Sequence, residues 1–390
     1  MKRMRYICVA LAILGILGGA FGKRYLQPPQ TTEEVQKNTS PSTLATDSFS
    51  IKYFQHCLSE KPAGNTLVAP HAVSDLLLSL QEIAAGQTLT ELQALQLVAG
   101  SRTRATEPAR ASLLAVDLDV PRLDSHAGVM PLPFAENMPM ALSLYNGMLS
   151  SAIGSASGQL ANSNMVTSRT KLMAGCAVAM QPDWELPFNT ANSLTADFDS
   201  ASGGMPHFRQ MRNRGLYRGI SAEDDSWKAL AIPLRKEAVS GAPLFYIAIL
   251  PNSSARDFAM QLPPEKITDI RKKLAEATPR DMLVEIPRLE LQILPFDMRD
   301  TLRRIGLKSL FNAETADFSK LTEEKIHLSA VAHACTIKLV ESSVQPQADA
   351  SLENAPERFT LSRPHIWIIA DLETDTPIEF MCLVEEMLNS

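Results

Sequence analysis

The chain has 390 residues, of which 45% are hydrophobic and 21% are charged. This composition can build a large buried core and excludes a disordered or collagen-like chain. The net charge is -6, from 37 basic and 43 acidic side chains, and no basic run is dense enough to bind a phosphate backbone. Nucleic acid is therefore not expected as a partner.

The N-terminus has the pattern of an export signal. A basic head, Met1-Lys-Arg-Met-Arg5, precedes the apolar residues 6–22. As a helix this stretch would be about 25 Å long, which is shorter than the ~30 Å hydrocarbon core of a membrane. Residues 1–22 are therefore predicted to be a signal peptide, with an uncleaved anchor through residues 6–22 as the alternative. Both alternatives place the protein outside the cytoplasm, secreted or anchored.

The segment after the signal reads as a linker. Residues 23–46 are rich in Pro, Ser, Thr and Gln and have few apolar residues to bury, so they are predicted to be disordered. Residues 47–390 are predicted to form a single domain, and the protein is expected to be a monomer.

Hydrophobic periodicity predicts a large α+β domain. Apolar residues recur at helical spacing in the segments 48–60, 71–84, 89–98, 138–153, 264–276 and 297–305. Alternating or β-rich runs occur in the segments 172–180, 228–233, 244–250, 282–294, 326–340, 365–370 and 378–385. Helices and strands do not alternate regularly, which favours mostly antiparallel sheets. Residues 101–136 have no pattern that assigns them.

Neither a metal site nor a catalytic centre is indicated. No two of the seven histidines are four residues apart, and Gly154-Ser-Ala-Ser-Gly158 has alanine at the centre of a would-be nucleophile elbow. No C-x-x-C pair occurs, and the cysteines outside the signal all have apolar neighbours: Cys57, Cys176, Cys335 and Cys382. They are predicted to be buried thiols, with a disulfide as the alternative in an exported protein. The chain is not expected to be an enzyme or to need a cofactor.

Several segments resemble motifs of the serpin family. They are Asn65-Thr-Leu-Val-Ala-Pro70, Trp184-Glu-Leu-Pro187-Phe188, Ile286-Pro-Arg-Leu, Leu302-Arg-Arg-Ile-Gly306, Ala316-Asp317-Phe318, Leu328-Ser-Ala-Val-Ala-His333 and Arg363-Pro364-His-Ile-Trp. They come in the family's order over about residues 48–386. The resemblance implies a large, mostly antiparallel main sheet, additional sheets, about eight or nine helices and an exposed reactive loop near the C-terminus.

The resemblance also implies a protease inhibitor. A protease cuts the exposed loop, and the freed loop inserts into the main sheet as a new strand while carrying the acylated protease with it. The hinge of that loop aligns with Glu341, Ser343, Val344, Pro346, Ala348 and Ala350.

The composition of this loop both favours and opposes insertion. Apolar residues alternate with polar ones over 344–353, as a strand with one face in the core requires. Pro346 has no N–H for a strand ladder, and Ser343 stands where the family has a more flexible glycine. Counting along the family's loop places the scissile bond at Glu357-Arg358 or Arg358-Phe359. If Arg358 is the specificity residue, the target proteases are trypsin-like.

A second group of residues aligns with the region where the family's sheet opens. Cys176 replaces an asparagine that the family pairs with the histidine at His333, and Trp184 lies nearby in the alignment. A buried thiol is predicted for Cys176; a reactive Cys-His pair and a Cys176–Cys335 disulfide are the alternatives.

Two functions remain open from the sequence. One is an inhibitor of an extracytoplasmic serine or cysteine protease, favoured by the alternation in the loop. The other is a non-inhibitory binding or structural protein of the cell envelope, favoured by Pro346, Ser343 and the altered pair at Cys176.

Overall fold

The computed structural model describes residues 43–97, 109–123, 128–154, 161–235, 243–342, 349–372 and 377–387. The predicted signal, most of the predicted linker, and the hinge positions Ser343, Val344, Pro346 and Ala348 lie outside these residues. All described residues belong to one compact unit, Pro41–Ser390.

Seven α-helices occur within the described residues. They are α1 (Thr43–Glu60), α2 (Pro70–Ile83), α3 (Gly86–Gln93), α4 (Met138–Ile153), α5 (Ala255–Gln261), α6 (Pro264–Glu276) and α7 (Arg299–Ile305). Helix α1 begins at Thr43, inside the predicted linker, and Asp47 near its start is fully buried in an ion pair with Arg271. Helix α3 ends at Gln93, five residues before its predicted end. No described helix is long and apolar enough to cross a membrane.

Fourteen strands occur in the described part of the chain. They are β1 (Thr66–Val68), β2 (Ala109–Asp117), β3 (Val129–Leu132), β4 (Leu172–Met180), β5 (Leu194–Asp197), β6 (His207–Ser221), β7 (Trp227–Pro233), β8 (Phe245–Pro251), β9 (Arg280–Pro287), β10 (Leu289–Asp297), β11 (Leu328–Leu339), β12 (Glu357–Thr360), β13 (His365–Ala370) and β14 (Phe380–Val384).

These strands form two sheets, and most neighbours are antiparallel as predicted. A five-stranded sheet has the order β10-β11-β4-β2-β3. A nine-stranded sheet has the order β1-β14-β13-β8-β7-β6-β9-β12, with β5 paired to β6. The single predicted strand 282–294 is divided at Arg288 into β9 and β10, so one extended stretch of chain passes directly from the nine-stranded into the five-stranded sheet.

The main core includes residues from both sheets and from helix α2. Pro70 lies in the first turn of α2. Its fixed φ suits a helix there, and its lack of an N–H costs no hydrogen bond because N–H groups in the first turn have no acceptor within the helix. The helix buries Leu76, Leu77 and Leu80 in this core. A smaller apolar cluster includes Tyr145 of helix α4 and residues of β2 and β4. The five-stranded sheet is therefore covered by apolar side chains on both faces.

Candidate functional site

The centre of the candidate site is the pair of strands β4 and β11. These strands are parallel, whereas their outer neighbours β2 and β10 pair with them antiparallel. The pairing runs from Leu328 opposite Leu172 to Ile337 opposite Met180, so the five-stranded sheet is closed along this line. A strand that entered here antiparallel to both would find hydrogen-bond partners on each side.

The end of β11 is held by Trp184 and by a cluster around Glu341. Trp184 Nε1 donates to Val340 O at 2.8 Å. The Glu341 carboxylate accepts hydrogen bonds from Ser193 Oγ (2.7 Å) and Arg209 Nε (3.1 Å). Burial alone would raise the pKa of Glu341, but these hydrogen bonds outweigh it and hold the pKa below its usual value. Glu341 is therefore a charged anchor at the point where the loop leaves the sheet.

The described part of the loop beyond residue 348 lies against the nine-stranded sheet. Ala350 is exposed. Asp349 N donates to Asn192 Oδ1 (2.8 Å), and Arg214 Nη1 donates to Ser351 O (2.7 Å). Leu352, at the start of a short 3₁₀ turn, is only 3% exposed and therefore anchors this part of the loop in the protein.

The far end of the loop is fixed by a group of charged residues that we name the loop clasp: Arg212, Glu285, Glu353 and Arg358. Arg212 Nε donates to Glu285 Oε1 at 2.9 Å and also pairs with Glu353. Arg358 Nη2 donates to Glu353 Oε2 at 2.8 Å. Glu285 is 4% exposed and accepts a further hydrogen bond from Thr360 Oγ1 at 2.6 Å. The clasp thus joins the loop to β6, β9 and β12.

The loop clasp was missed in the sequence. One signal for it was present, because Glu285 is the single charge in the apolar run Met282-Leu-Val-Glu-Ile-Pro287. A carboxylate buried in such a strand needs a cationic or hydrogen-bonding partner.

The structure places the residues of the expected scissile region in a strand. Glu357, Arg358 and Phe359 lie in β12, parallel to β9, where they face Met282, Leu283 and Val284. Phe359 is 5% exposed and belongs to the main core. Burial of this side chain and pairing with β9 place residues 357–359 in a strand, whereas counting along the loop had placed them at an exposed cleavage point.

Cys176 and His333 meet under the sheet, with Sγ 3.2 Å from Nδ1. Burial raises the pKa of the Cys176 thiol well above its usual value, and Cys335 raises it further. Burial lowers the pKa of His333 to about 4. Both groups are therefore neutral near pH 7, whereas a reactive pair needs a thiolate, so the structure favours the buried thiol over the reactive pair.

The Cys176–Cys335 disulfide is not formed. All four cysteines in the described residues are buried free thiols, as their apolar neighbours predicted. Cys176 faces His333 across the strand pair, and Cys335 faces Val178. This offset of two residues separates the two Cα atoms by about 8 Å, beyond the ~7 Å limit for a disulfide. The described residues also contain no group of three or more side chains placed to hold a metal ion.

Comparisons with known proteins agree with this architecture. A family model described as "Serpin (serine protease inhibitor)" matches residues 124–385. Serpin B3 of Homo sapiens is 26% identical over 225 residues, which are 54% of this chain and 55% of that protein. Plasminogen activator inhibitor 1 of Bos taurus is 22% identical, with 98% of each chain covered. A crystal structure of maspin superposes with a TM-score of 0.77 at 18% identity, covering 90% of this chain and all of that one.

Proposed function

The chain belongs to the serpin family, and we propose that it inhibits an extracytoplasmic serine or cysteine protease, as a monomer, by loop cleavage and strand insertion. Some serpins inhibit proteases and others do not. The observation that carries the proposal is the parallel pair β4 and β11, with the loop attached directly to the end of β11. The basic and apolar pattern of residues 1–22 supports the location, with secretion or anchoring through residues 6–22 as the two routes.

Insertion is favourable for a geometric reason. A loop that turns back after β11 runs antiparallel to β11 and, because β4 is parallel to β11, antiparallel to β4 as well. Insertion would therefore replace one parallel pairing by two antiparallel ones. The alternation of apolar and polar residues over 344–353 would bury one side of the new strand in the core.

We place the bond to be cut within residues 349–355. Most of these residues are exposed, whereas the next strand, β12, is paired with β9. No lysine or arginine lies between Glu341 and Glu357. A trypsin-like target would have to use Arg358, which belongs to β12 and the loop clasp. The proposal therefore favours a protease that cuts after a residue other than lysine or arginine.

The test uses the variant Asn354→Arg, which gives trypsin one cleavage site in this stretch. Insertion of residues 344–353 adds about ten ladder hydrogen bonds, worth ~1 kcal/mol each. With an unfolding entropy of about 2.1 cal/mol/K per residue, Tm should rise by roughly 10–15 °C after cleavage. An inhibitor should also give a protease-linked band on a denaturing gel. Asn354→Gln, treated with trypsin in the same way, is the control and should show neither effect.

The second candidate is a non-inhibitory binding or structural protein. Pro346 favours it, because proline cannot complete a central strand ladder, and so does Ser343 in the hinge. A Tm that changes by less than about 2 °C after confirmed cleavage would support this candidate and overturn inhibition. A large rise without the linked band would mean that insertion is slower than hydrolysis of the acyl-enzyme. In that case Pro346→Thr, which restores the missing N–H, should produce the band.

A further inference from the structure

A buried ionic cluster joins the five-stranded sheet to the nine-stranded sheet. We name it the ionic tie and define it as Arg110 of β2, His71 of α2 and Glu379, the residue before β14. Arg110 Nη1 donates to Glu379 Oε2 at 2.8 Å. His71 Nδ1 lies 2.9 Å from Glu379 Oε1 and also contacts Arg110 Nη1. The side chains of His71, Glu379 and Arg110 are 4%, 3% and 13% exposed.

The outer edge of the tie is formed by Asp75, one helical turn after His71. Its side chain is 37% exposed, with one oxygen 3.7 Å from His71 Nε2 and the other 4.0 Å from Arg110 Nε. Asp75 is therefore partly solvated, whereas the contact between Arg110 and Glu379 is largely buried.

The two halves of the five-stranded sheet are attached differently to the rest of the molecule. Strand β10 continues β9 through the single residue Arg288, so β10 and its partner β11 are fixed to the nine-stranded sheet. Strands β2 and β4 pair along eight residues, from Ala109 opposite Ala179 to Val116 opposite Leu172. If the sheet opens between β4 and β11, β2 therefore moves together with β4.

Opening would separate the partners of the tie. Glu379 belongs to the nine-stranded sheet, because its N–H donates to Ile369 O at 2.9 Å and the next residue pairs within that sheet. Admission of one strand between β4 and β11 displaces β2 by up to about 4.8 Å, the spacing between strands. A hydrogen bond of 2.8 Å does not survive such a displacement, and both charges would lose their partner in a buried place.

We propose that the ionic tie of Arg110, His71 and Glu379 holds the five-stranded sheet closed and sets how readily β4 separates from β11. Its biological meaning rests on the proposed function, since loop insertion requires this separation. Its physical effect does not, because the tie acts on the intact protein before any protease cuts the loop.

The test is hydrogen exchange of the intact, uncleaved protein, followed by mass spectrometry of peptides that cover β4 and β11. The variant His71→Leu/Arg110→Met/Glu379→Met removes the tie without leaving an unpaired buried charge. Backbone amides in Leu172–Met180 and Leu328–Leu339 should exchange about tenfold faster or more, since hydrogen bonds to charged groups are lost. Arg110→Gln leaves the buried Glu379 carboxylate without its cation, so it should give at least as large an increase in the same peptides, which secures the test if the triple variant does not fold.

A matched control removes another buried ionic cluster. Arg271 pairs with Asp47 and Asp371, and none of these three residues lies on the five-stranded sheet. In the variant Asp47→Leu/Arg271→Met/Asp371→Leu, exchange in β4 and β11 should be unchanged once any change in the free energy of global unfolding is taken into account. Unchanged exchange in the tie variants, or an equal increase in the control, would overturn the proposal. The two proposals can fail separately. If the tie variants show the expected increase in exchange but Tm does not change after loop cleavage, inhibition is rejected and the tie is still supported.

Discussion

Replacement of Arg271 by methionine should destabilise the protein strongly. Arg271 of α6 is fully buried, and its Nη1 lies 2.9 Å from Asp47 Oδ1 in α1. Its Nη2 lies 2.7 Å from Asp371 Oδ1, just after β13, and its Nε donates to Asp371 O at 2.9 Å. One guanidinium thus joins two helices and the end of a strand. Arg271→Met leaves two buried carboxylates without their cation.

The expected loss is about 3–5 kcal/mol, the usual cost of removing one partner from a buried ion pair. For an m-value of about 3 kcal/mol per molar urea, the unfolding midpoint should fall by roughly 1 M or more. The control is Asp47→Leu/Arg271→Met/Asp371→Leu, which removes all three charges and should recover most of the loss. Equal midpoints for Arg271→Met and the wild type would refute the reasoning, since they would mean that water reaches this site.

The loss of stability in Arg271→Met should depend on pH, and the sign of this dependence follows from the pKa of Asp47. Burial raises the pKa of Asp47, although Arg271 partly offsets this effect. Loss of Arg271 should therefore raise the pKa of Asp47 further. An acid whose pKa is higher in the folded state contributes stability at low pH that is lost as pH rises through the folded pKa. The deficit of Arg271→Met should consequently be larger at pH 8 than at pH 4.5, and a deficit that grows toward low pH would contradict this account.

Two further predictions concern the histidines and the loop clasp. Burial lowers the pKa of His333 to about 4, so the unfolded chain binds more protons than the folded one between about pH 6.5 and 4, and stability falls as pH falls through this window. In urea unfolding, the free energy of unfolding should fall between pH 7.5 and pH 5 in both proteins, and the fall should be about 2 kcal/mol smaller in His333→Gln than in the wild type. Equal falls in the two proteins would contradict this role of His333. Glu285→Gln weakens the clasp and should speed limited proteolysis within 349–356 several-fold. Glu290→Gln, which changes an exposed pair with Arg288, should not change this rate. Equal rates in the two variants would mean that the loop clasp does not hold the loop.

The sequence predicted best those elements whose local residue pattern is sufficient to identify them. Strand β4 was predicted at its observed bounds, because it is a short, continuous apolar run, mostly of small residues, that is buried for most of its length. Strand β6 (His207–Ser221) was missed, since it carries four arginines and alternates poorly. Its charges are compatible with a strand because distant groups receive them: Glu285 of β9 lies opposite Arg212, and backbone carbonyls at the end of α6 accept from Arg218. Such partners depend on strand register, which a single sequence does not specify.

The candidate site was predictable where it resembled a family pattern. Cys176 does contact His333, whereas Trp184, which was grouped with these two residues, lies at the end of β11, where it donates to Val340 O. The count along the loop led into β12 because it contains no information on where that strand begins. That boundary depends on Phe359 entering the core and on Thr360 reaching Glu285, and both contacts are made with residues about 75 positions earlier in the chain.

In the proposed mechanism, the position of the cut decides whether insertion must break the loop clasp. If the bond follows Glu353 or Asn354, the inserting strand carries Glu353 away from Arg212 and Arg358, and both ion pairs are lost. If the bond lies before Glu353, this carboxylate stays with β12 and the clasp remains intact. Glu353 is 62% exposed, so the energy of these pairs is small compared with about ten new ladder hydrogen bonds. The clasp therefore affects how fast the cut loop leaves the surface, whereas the gain from the inserted strand determines whether it stays in the sheet.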